Sequence, residues 1–117
     1  VPRVDYEKLS DDRLGEPSAN VQARVEAARE RQRQRFADSR LACNADMRPA
    51  QIRQHCQLDE TGNALMRSAM QQMQLSARAY HRILKLARTI ADLAGEEHVS
   101  PTHLAEALQY RPKLGVL

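Results

Sequence analysis

The chain has 117 residues and a net charge of +3, a length that suits one domain with a single core. Because it has one Phe, three Tyr and no Trp, that core has to be built from aliphatic residues, Met and Ala, as in closely packed helices. No apolar run is long enough for a membrane span, and the first residues lack the basic and apolar regions of a signal peptide. We therefore expect a cytoplasmic protein that has no membrane partner.

The first 17 residues show neither a helical nor an alternating apolar period, and they include two prolines and a glycine. This pattern predicts an extended connector over residues 1–17. Val1 and Val4 flank a Pro-Arg pair as at the end of a strand, so we expect the partner strands to belong to a larger protein. A helical domain is predicted over residues 18–112, followed by a C-terminal tail over residues 113–117.

Two helices are predicted in the first half of the helical domain. Ser18 is a suitable N-cap, and the apolar spacing after it predicts a helix from Ser18 to Asp38. Pro49 is well placed in the first turn of a short second helix, which holds Ile52 and Cys56.

Three more helices are predicted in the second half, so the sequence indicates an all-α bundle of four or five helices with an extended N-terminal connector. Asp59 caps the third helix, and a turn at positions 74–75 separates it from the fourth. The fourth helix starts after Ser76 and ends at Gly95, while the last runs from Pro101 to about Tyr110. The fourth helix has the broadest apolar stripe, made of Tyr80, Ile83, Leu84, Ala87, Ile90, Ala91 and Ala94.

The motifs of several enzyme classes are absent from the sequence. The four glycines, at positions 15, 62, 95 and 115, form no phosphate-binding loop of the GxxxxGK[ST] or GxGxxG type. There is also no HExxH pair and no GxSxG nucleophile motif. We therefore predict no catalytic residue in the isolated chain, which should not be an enzyme on its own.

The histidines and cysteines do not predict a metal site. His98 and His103 flank the turn before the last helix, and His55 adjoins Cys56, but zinc ligands normally pair more closely in sequence. Cys43 and Cys56 form no CxxC pair, so we expect free thiols.

Three methionines, Met66, Met70 and Met73, lie on one side of the third predicted helix. Such a stripe more often belongs to the core than to an adaptable binding surface. An adaptor that binds a protein partner through this stripe would need all three side chains to be exposed.

Six arginines crowd between positions 24 and 40, but they are spread around the first helix and interrupted by Glu26 and Glu30. This pattern favours a solvated helix with i,i+4 ion pairs over a phosphate-binding stripe. Since the region has a single aromatic residue, stacking on nucleic-acid bases is not predicted. We also expect that changing the arginines at 31 and 35 to Glu has little effect on folding. The candidate contacts to DNA phosphates are Arg24, Arg31 and Arg35.

The segment 75–93, with the sequence LSARAYHRILKLARTIADL, resembles the lid helix of the ComM/YifB group of magnesium-chelatase-like AAA+ ATPases. The segments 21–32, VQARVEAARERQ, and 103–111, HLAEALQYR, are similar to patterns that this group has before and after that helix. The three segments occur in the same order as in the group. The resemblance is looser over residues 37–74, where only the region around Ile52 and Cys56 is similar.

The resemblance implies that the chain is the C-terminal lid of such an ATPase, with a bundle of the AAA+ lid type. The ATPase core of the same protein would carry the Walker A and Walker B motifs, and the full-length parent would use ATP and Mg²⁺ and form a homo-hexamer. The group is implied to process DNA by branch migration or as a helicase, in natural transformation and recombination. The residue at the sensor 2 position, which reaches the γ-phosphate, would be Arg78, with Arg82 and Lys85 extending the same basic edge.

The position of Arg78 agrees with this role on physical grounds. A cation in the first turn of a helix is disfavoured by about 0.3–1 kcal/mol, so a nearby phosphate would offset its cost. The alternative is that Arg78 simply points into solvent. Two other functions stay open from the sequence: a stand-alone nucleic-acid-binding module that uses the arginine-rich first helix, and the helical adaptor.

Overall fold

The computed structural model describes residues 17–110, which form five α-helices and one short 3-10 turn. The helices are α1 (Ser18–Arg35), α2 (Pro49–His55), α3 (Glu60–Met73), α4 (Ala77–Leu93) and α5 (Pro101–Gln109), and the 3-10 turn is Asn44–Asp46. No strand occurs between residues 17 and 110, so the predicted all-α bundle is confirmed. The predictions for the connector, the strand end at Val1 and Val4, and the tail lie outside the described residues.

The helix boundaries follow the predicted caps except in α1. The N-cap of α1 is Pro17 and not Ser18, which is already helical. The helix also ends at Arg35, three residues before the predicted end at Asp38, because Phe36 leaves the helical conformation and its ring is buried in the core. The break turns the chain toward the 3-10 turn that precedes α2.

Helix α4 has the predicted cap at each end. The Ser76 hydroxyl accepts a hydrogen bond from the backbone N–H of Ala79, at 3.1 Å. At the other end Gly95 adopts a positive φ of 73°, a conformation that costs glycine least. The N–H of Gly95 bonds the Asp92 carbonyl and the N–H of Glu96 bonds the Ala91 carbonyl, which is the Schellman pattern.

The core forms around α4, which contacts α1, α2, α5 and the 3-10 turn. Its buried residues belong to one core with side chains from α2, α3 and α5 and with Phe36 and Met47, which directly follow α1 and the 3-10 turn. The core residues are Phe36, Met47, Ile52, Cys56, Met66, Ile83, Leu84, Ala87, Ala91, Val99, Leu104 and Ala107. Helix α4 is therefore the central element of the fold, with its apolar face in the core and its polar face outside it.

The methionine stripe of α3 is split between core and surface. Met66 is buried, Met70 is half-buried and Met73 is exposed. The adaptor hypothesis predicts three exposed methionines, and of these only Met73 is exposed. None of the helices between residues 17 and 110 is long and apolar enough to cross a membrane.

Candidate functional site

A cleft with a volume of about 690 Å³ runs along the first half of α4. On its α4 side lie the three basic side chains predicted to form one edge, Arg78, Arg82 and Lys85. The opposite side comes from the segment that contains the 3-10 turn and the start of α2 and is largely apolar. The other lining residues are Ala45, Met47, Pro49, Ile52, His81, Leu86 and Thr89.

Arg78 and Arg82 are available to a ligand. Both side chains are exposed, and within residues 17–110 neither guanidinium makes an ion pair or a hydrogen bond. Arg78 is the second residue of α4, beside the positive end of the helix dipole. Its charge is therefore placed where only an anionic partner would stabilise it.

The C-terminal part of the same α4 face binds the 3-10 turn. Arg78, Arg82, Lys85, Thr89 and Asp92 follow one another at intervals of four and three residues, so they share one face of the helix. Lys85 Nζ donates to the carbonyl of Ala45 at 3.1 Å. The side-chain amide of Asn44 donates to Thr89 Oγ1 at 3.1 Å and to Asp92 Oδ2 at 2.8 Å. The 3-10 turn is thus fastened to α4, which fixes the far wall of the cleft.

Asp92 is the centre of a buried polar cluster at the C-terminal end of this face. Its carboxylate accepts hydrogen bonds from Arg35 at 2.7 and 2.9 Å and pairs with Arg88 at 3.1 Å. Burial alone would raise the pKa of Asp92, but hydrogen bonds from Arg35 and Asn44 and the charges of both arginines lower it. Asp92 is therefore held as a carboxylate between two cations.

Arg88 connects three parts of the fold from inside. Its guanidinium donates to the carbonyls of Glu96 and Glu97, each at 2.9 Å, and more weakly to the carbonyl of His55 at 3.4 Å. These bonds hold the α4–α5 loop and the end of α2 against α4. Arg88 is 3% exposed, so it is a structural residue that a ligand in the cleft does not reach.

The candidate DNA-contacting arginines of α1 all have interaction partners already. The side chain of Arg35 is 14% exposed and bound to Asp92, so folding occupies its charge. Arg31 Nη2 donates to the Gly95 carbonyl at 3.3 Å, and Arg24 also has an interaction partner. The exposed ion pairs of α1 are Arg29–Glu26 at 3.5 Å and Arg33–Glu30 at 2.7 Å, with i,i+3 spacing where i,i+4 was predicted.

The histidines considered as metal ligands have structural contacts instead. His103 is buried, and its Nδ1 accepts the backbone N–H of Ser100 at 3.0 Å, which caps α5. His55 lies edge-on to the Phe36 ring in a T-shaped contact. No group of three or more His, Cys, Asp or Glu side chains is placed to hold a metal in the described part of the chain.

Comparison with known proteins identifies the family. Residues 15–111 match the family described as magnesium chelatase, subunit ChlI C-terminal. The chain belongs to this family. It is therefore a C-terminal domain of a magnesium-chelatase-like protein, as the segments 75–93 and 103–111 had indicated.

The chain is also similar to part of the longer proteins ComM and YifB. The chain is 42% identical over 117 residues to the competence protein ComM of Haemophilus influenzae, matching 100% of this chain and 22% of that protein. It is 42% identical over 97 residues to YifB of Escherichia coli and 39% identical over 97 residues to YifB of Salmonella typhimurium. Each of these matches covers 83% of this chain and 18% of the relative. The chain thus spans about a fifth of the length of these relatives.

Sequence reasoning found the basic edge of the cleft but missed the buried cluster. The pattern at positions 78, 82 and 85 is visible in the α4 sequence because helical spacing alone puts those residues on one face. The same spacing predicts that Thr89 and Asp92 continue this face. What the sequence does not give is the partner of Asp92, because Arg35 lies 57 residues away.

Proposed function

We propose that this domain is the nucleotide-sensing lid of an AAA+ ATPase and that Arg78 contacts the γ-phosphate of ATP. The observation that carries this proposal is the cleft, which places an exposed, unpaired arginine in the first turn of α4 with two more cations along the same wall. An anionic ligand fits this donor set because it would meet positive charge from three side chains and from the helix terminus.

The three cations would have different tasks in this proposal. Arg78 would donate hydrogen bonds to phosphate oxygens from its planar guanidinium, which suits that geometry better than an ammonium group does. Lys85 is already bound to the Ala45 carbonyl, so it would act mainly as a fixed positive charge. Arg82 lies between them along the helix and would strengthen the positive potential.

The remaining chemistry would come from the ATPase core of the same protein. ATP with Mg²⁺, when bound, would supply the phosphoryl group that is transferred. Because this chain lacks the glycine-rich loop that cradles the phosphates, the core would have to hold them. We therefore propose that the isolated domain is not an enzyme. We propose a homo-hexameric parent, in which the domain would report whether the nucleotide is present.

We further propose that the parent is a DNA-processing motor of the branch-migration or helicase type. The likeness to a protein named for competence supports this proposal, together with the resemblance of α4 to the lid helix of the ComM/YifB group. The arginines of α1 add little to it, because Arg31 and Arg35 have partners within the domain.

The test is the variant Arg78→Ala in the full-length parent. Positioned cations stabilise charge on the transferring phosphoryl group, and an arginine finger contributes about 10³–10⁵ in rate. We expect the ATPase rate to fall by at least about tenfold, as a partial share of that effect, while nucleotide binding falls less. The domain should stay folded because Ser76 still caps α4 and Ala is the better helix former.

A matched control is Arg67→Ala, which removes an exposed arginine from α3, outside the cleft. Arg88→Ala, farther along α4, would be an unsuitable control because Arg88 is buried and holds the α4–α5 loop. Equal ATPase rates for the wild type and a folded Arg78→Ala variant would refute the proposal.

A further inference from the structure

The C-terminal end of α4, one turn beyond the cleft residue Thr89, carries an exposed group that combines acidic and apolar side chains. Leu93 is 38% exposed, and Ala94, Glu96 and Glu97 are exposed beside it. We refer to residues Leu93 to Glu97 as the acidic loop. Its two carboxylates and one apolar side chain are presented together at one corner of the domain.

The backbone of the acidic loop is firmly held from the inside. Gly95 and Glu96 make the two Schellman hydrogen bonds, at 3.1 and 2.8 Å. Arg88 binds the carbonyls of Glu96 and Glu97 at 2.9 Å each, and Arg31 binds the Gly95 carbonyl at 3.3 Å. Since the backbone polar groups are already satisfied, the side chains face outward from a preorganised loop. Preorganisation lowers the entropy cost of binding.

The cleft has the opposite charge and a matching apolar surface. Arg82 is exposed on its α4 side, and Lys85 reinforces the positive charge one turn later. Across from them the wall is lined by Met47, Pro49 and Ile52. A binding segment would therefore need carboxylates to meet the cations and an apolar side chain to cover that wall.

Arg82 and the acidic loop of one molecule do not pair with each other. Arg82 makes no ion pair within residues 17–110, and eleven residues of α4 at 1.5 Å per residue place Leu93 about 16 Å farther along the helix. Pairing of Arg82 with the acidic loop therefore joins separate molecules.

We propose that the cleft of one copy of this chain binds the acidic loop of a second copy, with Arg82 paired to Glu97 and Leu93 against the apolar wall. The contact is head-to-tail, because each copy uses a different surface from its neighbour. Such heterologous contacts propagate into closed rings or filaments. The interface shares the cleft with the proposed nucleotide contact but pairs through Arg82 and not through Arg78, so self-association of the chain and the ATPase rate of Arg78→Ala test the two proposals separately.

The experiment is sedimentation velocity of the full 117-residue chain over a range of concentrations, at low and high salt. The wild-type chain should self-associate, and added salt should weaken the association because exposed charges are screened. Arg82→Glu and Glu97→Arg, each alone, place like charges against each other and should raise the dissociation constant at least about tenfold.

A mixture of the two variants makes the test specific. In a one-to-one mixture every cleft meets a loop of opposite charge again, so association should return, although each variant alone is monomeric. Arg67→Glu, a reversal at an exposed site on α3, should associate like the wild type. Circular dichroism of each variant shows that the helices are intact, and neither changed side chain is buried.

Two results would overturn the proposal. One is a wild-type chain that stays monomeric at every concentration, including one whose cleft instead binds a single-stranded oligonucleotide or an acidic peptide through Arg82. The other is self-association that Arg82→Glu and Glu97→Arg leave unchanged, which would place the interface elsewhere.

Discussion

Arg35 Nη2 lies 2.7 Å from Asp92 Oδ1, and this ion pair joins the last residue of α1 to the last turn of α4. The side chain of Asp92 is fully buried and that of Arg35 is 14% exposed, so water screens the pair little. Asn44 and Arg88 bind the same carboxylate. The pair is therefore part of the structure of the domain, although Arg35 reads as one surface arginine among several in the sequence.

The first prediction concerns Arg35→Glu. Removing one partner of a buried pair costs about 3–5 kcal/mol because the other charge is left uncompensated, and the new carboxylate would also face Asp92. We expect a loss of at least about 3 kcal/mol in the free energy of unfolding, or more than about 12 °C in Tm. Urea and thermal unfolding followed by circular dichroism measure both.

The matched control is Arg31→Glu, which changes an exposed arginine in the same helix. Arg31 loses one hydrogen bond, to the Gly95 carbonyl, so its cost should stay within about 1 kcal/mol. The sequence alone suggested that both changes would be tolerated, and the structure argues otherwise for Arg35. Equal stability of the two variants would contradict a structural role for the Arg35–Asp92 pair.

The second prediction is a loss of stability in acid that depends on Asp92. Its pKa in the folded state lies below the ordinary value of 3.8, since the bonds from Arg35 and Asn44 outweigh burial. The unfolded chain therefore takes up this proton first, and the stabilisation is present above about pH 4 and is lost as pH falls through the lower native pKa. Urea unfolding between about pH 6 and pH 2 should show this decline, and Asp92→Asn should remove part of the slope. Parallel curves for the two proteins would rule Asp92 out as its source.

The third prediction is that Arg88→Lys loosens the α4–α5 loop and lowers the stability of the domain. The guanidinium reaches carbonyls of the α4–α5 loop and of α2 while pairing with Asp92, and an ammonium group cannot span these acceptors. Hydrogen exchange should become faster at the amides around Val99 and Ser100, and global stability should fall by about 2 kcal/mol or more. The conservative variant Arg67→Lys on α3 should leave both unchanged. Native-like exchange in Arg88→Lys would show that one charge at this position is enough.

The fourth prediction separates the two thiols. Burial raises the pKa of Cys56 to about 11, although Arg88 and Arg35 act in the opposite direction. Because the thiolate is the reactive form, Cys56 should resist iodoacetamide at neutral pH while the partly exposed Cys43 is alkylated. Peptide mass spectrometry over time gives both rates, and unfolding in urea should make them similar. Cys56 that reacts as fast as Cys43 in the folded chain would mean that the core around it opens readily.

The sequence predicted the parts of the fold that depend on local signals. Ser76 and Gly95 mark the ends of α4 because capping is decided within one turn of the helix, and the apolar stripe between them fixes which face is buried. The end of α1 was placed three residues too late because Phe36 is drawn into a core formed by later helices. The sequence pattern likewise places Arg35 among the solvated arginines of α1, because its partner Asp92 comes next to it only when the helices pack together.

The Asp92 cluster also constrains how this domain can change during evolution. Asp92, Arg35, Arg88 and Asn44 are scattered in sequence but share one set of hydrogen bonds. A change at any one of them leaves a buried donor or acceptor without its partner unless another position changes as well. We therefore expect the four positions to be inherited as a unit, kept together in some relatives and replaced together by apolar residues in others.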